Sequence, residues 1–170
     1  MISDIKLVML DRDGTINKRI RNSYLLKNQD IIRPVDFDTL IKIYNSNIMI
    51  SVVSNQPCIS KKIITYSEVV LLTQFLLRPI FELSEDSIFI CPHQENEGCN
   101  CRKPKPGLIF KCLEYFDISP DQSIFVGDTE KDATAAREAG VQFFGVCWDS
   151  RCLGEKCLHT ISDVVANVIK

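Results

Sequence analysis

The sequence has no long apolar stretch, no excess of positive charge and only two histidines. No apolar run approaches the roughly 20 residues of a membrane-spanning helix, so we expect no contact with a membrane. The net charge of −2 offers no basic surface for nucleic acid, and we expect none as a partner. The first four residues lead straight into an apolar segment, which predicts no signal peptide and therefore a cytoplasmic protein. Repeats and low-complexity tracts are also absent, so we predict a single domain over residues 1–170, and a monomer.

Strand-like apolar runs alternate with helix-like segments along the 170 residues. The predicted strands cover residues 7–10, 48–53, 87–91, 122–126 and 141–148, and the predicted helices cover 34–46, 67–82, 106–117, 129–140 and 162–169. This alternation predicts an α/β fold, a Rossmann-like parallel sheet with helices on both faces. In such sheets, ligands bind beyond the carboxyl ends of the strands.

Two carboxylates, Asp11 and Asp13, directly follow the first predicted strand. Side chains two residues apart on an extended chain point the same way, so both acids are aimed at one place. Close carboxylates repel unless a proton or a cation lies between them, which indicates a Mg²⁺ site. The alternative is a solvated, aspartate-rich turn at the end of a strand.

Polar residues also follow two other predicted strands. Ser54 and Asn55 come after the second strand and Asp128 comes after the fourth, with Asp132 one helical turn further on. Alone, the last two acids also fit a helix cap with a first-turn acid that complements the helix dipole. Together with Asp11, their convergence at one edge of the sheet favours an active site.

Eight cysteines are many for this length, and three of them lie with a histidine in the pattern Cys-x-His-x5-Cys-x-Cys: Cys91, His93, Cys99 and Cys101. Without a signal sequence, such spacing indicates metal binding rather than disulfides. Three thiolates and one imidazole suit a closed, structural zinc site, whereas the alternative is a reduced loop of free thiols. We predict a zinc-braced loop over residues 91–101 that leads directly into Arg102 and Lys103.

A second group, Cys152, Cys157 and His159, offers only three ligands after the last predicted strand. Thiols without a metal are therefore the preferred interpretation there. Cys58 and Cys112 are predicted to be core or loop residues.

Four segments, in this order, resemble the motifs of the haloacid dehalogenase superfamily of phosphohydrolases: Asp11-x-Asp13-Gly14-Thr15, Ser54-Asn55-Gln56, the lysine of Arg102-Lys103-Pro104, and Gly127-Asp128 with Asp132. The opening Asp-Arg-Asp-Gly-Thr-Ile-Asn and the cysteine-histidine loop further resemble the heptose-bisphosphate phosphatases and the related histidinol-phosphate phosphatases. That subfamily has no large cap domain, and the spacing between the motifs leaves no room for one.

The resemblance implies catalysis through an aspartyl-phosphate. Asp11 is then the nucleophile, and Asp13 protonates the leaving alkoxide before it activates water. Mg²⁺ is then held by three groups, which are Asp11, the backbone carbonyl of Asp13, and Asp128.

The resemblance also implies roles for the remaining motif residues. Ser54 donates a hydrogen bond to a phosphoryl oxygen, Lys103 supplies positive charge in the transition state, and Asp132 orients Lys103 or the water molecules around the metal. The implied substrate-binding residues are Asn55, Gln56 and Arg102.

Two segments depart from the subfamily. Residues 57–61 (Pro-Cys-Ile-Ser-Lys) replace a loop that resembles Ser-Gly-Ile-Ala-Arg-Gly in the heptose enzymes, and the loop over 18–24 is longer and more basic. Lys18, Arg19 and Arg21 are therefore candidates for binding a second phosphate, although a solvated loop explains them equally well.

We predict a Mg²⁺-dependent phosphatase with a structural zinc ion. Its partner is a small phosphorylated metabolite, foremost a heptose bisphosphate, with histidinol phosphate as the alternative. A polynucleotide 3'-phosphatase shares the Asp-x-Asp-Gly-Thr motif but needs a basic groove, which the acidic net charge disfavours. A non-enzymatic, zinc-stabilised binding module is the remaining alternative, and the intact set of motif residues argues against it.

Overall fold

A computed structural model of the chain describes residues 5–17, 37–146, 157–158 and 162. The strands are β1 (Leu7–Leu10), β2 (Met49–Asn55), β3 (Ile88–Cys91), β4 (Ser123–Gly127), β5 (Gln142–Val146) and β6 (Cys157–Leu158). The α-helices are α1 (Phe37–Asn45), α2 (Tyr66–Leu77), α3 (Gly107–Phe116) and α4 (Glu130–Glu138). Single 3₁₀ turns lie at Glu85–Ser87, Glu95–Glu97 and Pro120–Gln122.

The described strands form one sheet in the order β3-β2-β1-β4-β5-β6, and every neighbouring pair is parallel. Side chains alternate between two cores because successive strand residues face opposite sides. Val8 and Leu10 of β1 belong to the core that includes α1 and α2, whereas Leu7 and Met9 belong to the core that includes α3 and α4. The prediction of a Rossmann-like parallel sheet with helices on both faces is confirmed.

The bounds of several elements differ from those predicted. Helix α2 begins earlier because Thr65 forms a capping box with Glu68, and it ends at Leu77 because Pro79 cannot continue it. Strand β2 continues through Ser54 and Asn55, and the short strand β6 is an addition to the prediction.

The strand order reverses between β1 and β4, and this reversal positions the site. The chain adds β2 and β3 on one side of β1 and then returns to add β4 on the other side. Leu10 pairs with Val126, and the amide of Asp11 donates to the carbonyl of Val126 at 2.9 Å. A crevice forms at such a switch point because the two flanking connections leave in opposite directions.

The part of the chain that the structure describes has no cap domain over this crevice. It also contains no helix that is both long enough and apolar enough to cross a membrane. The predicted helix over 162–169 and the loop over 18–24 lie outside the described residues, apart from Ser162.

Candidate active site

A cavity of about 470 Å³ lies at the carboxyl ends of β1, β2 and β4. Cavities of this size suit small metabolites. Its lining brings together most of the residues predicted from the motifs: Asp11, Asp13, Ser54, Asn55, Arg102, Lys103 and Asp132. Pro57, Thr129, Glu130 and Lys131 complete the lining.

Lys103 lies between two buried carboxylates. Its Nζ is 2.7 Å from Oδ1 of Asp11 and 2.6 Å from Oδ1 of Asp132, and it donates to the carbonyl of Val53 at 2.9 Å. The exposed fractions of Asp11, Lys103 and Asp132 are only 4%, 2% and 1%. The ammonium also lies 5.1 Å from the centre of the Phe125 ring, a cation–π contact. The cation is therefore fixed in place beside Asp11.

Burial and charge oppose each other in this group. Burial raises the pKa of Asp11 from 3.8 to about 7, although the adjacent Lys103 lowers it. Burial lowers the pKa of Lys103, but Asp11 and Asp132 outweigh that effect and raise it above its usual value. Asp11 therefore depends on nearby positive charge to remain a carboxylate, which is the form that acts as a nucleophile.

Asp13 is held by a separate set of donors. Arg12 donates to both of its oxygens, at 3.2 and 2.9 Å, and Gln56 and Asn17 donate at 2.7 and 3.1 Å. Burial raises the pKa of Asp13, but Arg12 and the other donors outweigh it and hold the pKa below its usual value. The sequence interpretation missed Arg12, whose position between two aspartates was the available signal.

Asn55 and Gln56, which were predicted to bind the substrate, make contacts within the protein, and of the two only Asn55 lines the cavity. The amide of Asn55 donates to the carbonyl of Lys103 at 3.0 Å and its oxygen accepts from the Lys103 amide at 3.1 Å. Gln56 is buried, and its Nε2 donates to Asp13 and to the hydroxyl of Ser54, at 2.7 and 2.9 Å. Both side chains therefore position other residues of the site.

Three carboxylates offer a place for a divalent cation. Asp11, Asp128 and Asp132 each present an oxygen, and these atoms lie within 4.8 Å of one another. A Cβ on Gly14 would lie 2.0 Å from Oδ2 of Asp128, so only glycine lets the turn after β1 approach so closely. Hard oxygen donors of this kind fit Mg²⁺.

Asp132 is already engaged through both of its oxygens. Oδ1 contacts Lys103, and Oδ2 accepts from the amide and hydroxyl of Thr129 at 3.0 and 2.5 Å. The sequence indicated a helix cap here with Asp132 as a first-turn acid, but Thr129 was not predicted as the cap residue, although the Thr-x-x-Asp spacing is typical of a capping box. Asp11 and Asp128 are therefore better suited to direct contact with a metal, and Asp132 to holding Lys103.

The four predicted zinc ligands form a compact cluster. The Sγ of Cys101 lies 3.3 Å from that of Cys91 and 3.5 Å from that of Cys99, and Nδ1 of His93 lies 3.3 Å from the Cys101 sulfur. Tetrahedral zinc with bonds of about 2.3 Å separates its sulfur ligands by about 3.8 Å. The cluster therefore has nearly the dimensions of a zinc site.

This loop also positions Arg102, whose Nη1 donates to the carbonyl of His93 at 3.0 Å. Lys105 donates to the carbonyl of Cys99 at 2.7 Å, which secures the loop from the other side. A Cβ on Gly107 would lie 2.2 Å from the carbonyl oxygen of Asn100, so glycine is required where the loop packs on α3.

Five residues singled out from the sequence lie outside the described residues: Lys18, Arg19, Arg21, Cys152 and His159. The remaining member of the second cysteine group, Cys157, begins β6.

The chain is similar to known proteins over most of its length. Residues 12–146 match the family model of haloacid dehalogenase-like hydrolases. A D-glycero-beta-D-manno-heptose-1,7-bisphosphate 7-phosphatase of Helicobacter pylori is 33% identical over 141 residues, which cover 81% of this chain and 80% of that protein. The histidine biosynthesis bifunctional protein HisB of Blochmanniella floridana is 30% identical over 142 residues, which cover 81% of this chain and 40% of that protein.

A solved structure agrees in fold. The D,D-heptose 1,7-bisphosphate phosphatase of B. bronchiseptica, which was crystallised with magnesium and phosphate, superposes with a TM-score of 0.82 at 21% identity. The match covers 97% of this chain and 98% of that one.

This chain belongs to the haloacid dehalogenase-like hydrolase family. The resemblance inferred from the four motifs is thereby confirmed. The family and its relatives that are named as phosphatases also confirm the prediction of phosphatase activity.

Proposed function

We propose that the chain is a Mg²⁺-dependent phosphomonoesterase that removes one phosphate from a heptose 1,7-bisphosphate. The observation that carries this proposal is the buried contact of Asp11 with Lys103 at the switch point of the sheet, beside Asp128. A carboxylate fixed next to a cation suits attack on a phosphate ester, because the cation offsets the negative charge that both reactants carry.

The reaction proceeds in two steps. A carboxylate oxygen of Asp11 attacks phosphorus, the bond from phosphorus to the sugar oxygen breaks, and Asp13 donates its proton to that oxygen. Asp13 then removes a proton from water, and the water oxygen attacks the phosphorus of the aspartyl-phosphate to release phosphate and free Asp11. Arg12 and Gln56 hold the pKa of Asp13 low, which favours transfer of its proton to the leaving oxygen in the first step.

The other residues stabilise and position. Lys103 and the hydroxyl of Ser54 donate to phosphoryl oxygens, and Asn55 and Asp132 hold Lys103 for that purpose. Asp11, the backbone carbonyl of Asp13 and Asp128 would hold Mg²⁺, which supplies further positive charge when bound. A structural zinc ion on the cysteine-histidine loop would fix Arg102 at the rim, where it recognises the substrate.

The relatives support the choice of substrate. The Helicobacter pylori protein is named for a heptose bisphosphate, and the similarity extends over most of both chains. A histidinol phosphate is the second candidate because the bifunctional histidine-biosynthesis protein also matches. The cytoplasmic location and the monomeric state remain predictions from the sequence.

The test is phosphate release from heptose 1,7-bisphosphate and from histidinol phosphate, with Mg²⁺ and with excess chelator. We expect faster release from the heptose, and loss of release by about 10³-fold or more in Asp11→Asn or without Mg²⁺. Asp117→Asn, the same chemical change at the exposed end of α3, is the matched control. Full activity of Asp11→Asn would refute the mechanism, and faster turnover of histidinol phosphate would refute the choice of substrate.

A further inference from the structure

An ion pair crosses the rim of the cavity between two different elements. Nζ of Lys131, in the first turn of α4, lies 3.0 Å from Oε1 of Glu95, in the 3₁₀ turn of the cysteine-histidine loop. The exposed fractions of the two side chains are 47% and 76%, whereas the groups around Asp11 are buried. Lys131 lines the cavity but has no part in the reaction proposed above.

Glu95 lies within the electrostatic reach of a second cation. Lys131 lowers the pKa of Glu95 through a hydrogen bond and its charge, and Arg102 lowers it further. Arg102 also lines the cavity, and its Nε is buried without a hydrogen-bond partner among the residues that the structure describes. The rim therefore holds two cations, and an exposed carboxylate is paired with one of them.

We propose that Lys131, beside Arg102, binds a second phosphate of the substrate, and that Glu95 competes with this phosphate for Lys131. The inference rests on the proposed function, since it concerns the phosphate that the reaction leaves in place. An exposed Lys–Glu pair is weak, because solvent screens it and both side chains lose rotational freedom. A phosphate carries more charge than a carboxylate and accepts more hydrogen bonds, so it can displace Glu95.

The two partners of the ion pair should then have opposite effects. Removing the charge of Lys131 weakens binding of a bisphosphate, whereas removing the charge of Glu95 frees Lys131 and strengthens it. A monophosphate has no second phosphate to contact Lys131, so neither substitution should change its binding directly. If the ion pair only held α4 and the loop together, both variants would instead bind both substrates more weakly.

The experiment compares heptose 1,7-bisphosphate with heptose 7-phosphate as substrates of the Mg²⁺-loaded protein. The measured quantity is kcat/KM for the bisphosphate divided by kcat/KM for the monophosphate. We expect this ratio to fall about tenfold in Lys131→Gln, as for loss of one charge-assisted hydrogen bond, mainly through a higher KM for the bisphosphate. Lys131→Arg should restore most of the ratio, and Glu95→Gln should raise it. Lys111→Gln removes the same charge from the exposed face of α3 and serves as the control.

Two results would overturn the inference. The first is an unchanged ratio in Lys131→Gln, which includes an equal loss of kcat/KM for both substrates. The second is a lower ratio in Glu95→Gln. If the unaltered protein releases phosphate from neither sugar, the proposed function is wrong, and the inference that rests on it is wrong as well.

Discussion

Replacing Lys103 with methionine tests whether the buried cation supports the fold as well as the chemistry. The change keeps a long side chain but leaves Asp11 and Asp132 buried without the ammonium that contacts both. Breaking a buried ion pair from one side costs about 3–5 kcal/mol, because the remaining charge is left uncompensated. That is a large part of the roughly 5–15 kcal/mol by which a domain is stable.

The loss should depend on pH in a defined direction. Burial raises the pKa of Asp11 from 3.8 to about 7 even with Lys103 present, and removing this cation raises it further. A carboxyl group whose pKa is higher in the folded chain than in the unfolded chain destabilises the fold increasingly as the pH rises above its pKa in the unfolded chain. Lys103→Met should therefore lose most stability near pH 8 and less near pH 5, where Asp11 takes up a proton.

Urea unfolding in excess chelator measures the free energy of unfolding of each variant without interference from a metal. Lys111→Met, on the exposed face of α3, is the matched control and should change stability by less than about 0.5 kcal/mol. The double variant Lys103→Met with Asp132→Asn should recover part of the loss, because one of the two unpaired charges is gone. A loss below about 1 kcal/mol near pH 8, or a larger loss near pH 5, would refute the reasoning.

Further predictions concern the turn after β1 and the cysteine-histidine loop. Gly14→Ala forces a Cβ to within 2.0 Å of Asp128 at φ +103°. We therefore expect the free energy of unfolding in urea to fall by about 2 kcal/mol and phosphate release to slow, and unchanged values of both would contradict the close approach. Cys101→Ser should abolish zinc binding, measured by mass spectrometry, and lower the Tm, while Cys112→Ser should keep its zinc; equal zinc content in the two variants would contradict the assigned ligands. Zinc added to metal-free protein should release protons in a weakly buffered indicator assay, because burial raises the pKa of Cys91 to about 12; no proton release would show that the thiols do not ligate.

The elements that rest on local pattern could be predicted well. The apolar run of β1 and the glycine after it define a strand and a turn on their own, and so does the segment from Ser123 to Asp128. The parallel topology then follows from the alternation of strands and helices, which brings Asp11 and Asp128 to one edge.

The contacts that rest on tertiary pairing could not be predicted. Nothing near Asn55 in the sequence indicates that its amide holds the backbone of Lys103, 48 residues away. The ion pair of Glu95 with Lys131 joins two elements whose distance only the folded chain sets. Strand β6 has two residues, too few for a recognisable pattern, and depends on the edge that β5 offers.

The groups proposed to do the chemistry and those at the rim differ in how they are attached to the fold. Asp11 and Asp128 follow strands in the middle of the sheet, where a substitution disturbs both cores. Glu95 and Arg102 lie on a loop outside the sheet, which the four predicted zinc ligands would hold together if they bind the metal. During evolution such a loop can change its length and charge while the strand ends stay the same. One reaction can thereby pass from one sugar phosphate to another through changes confined to the rim.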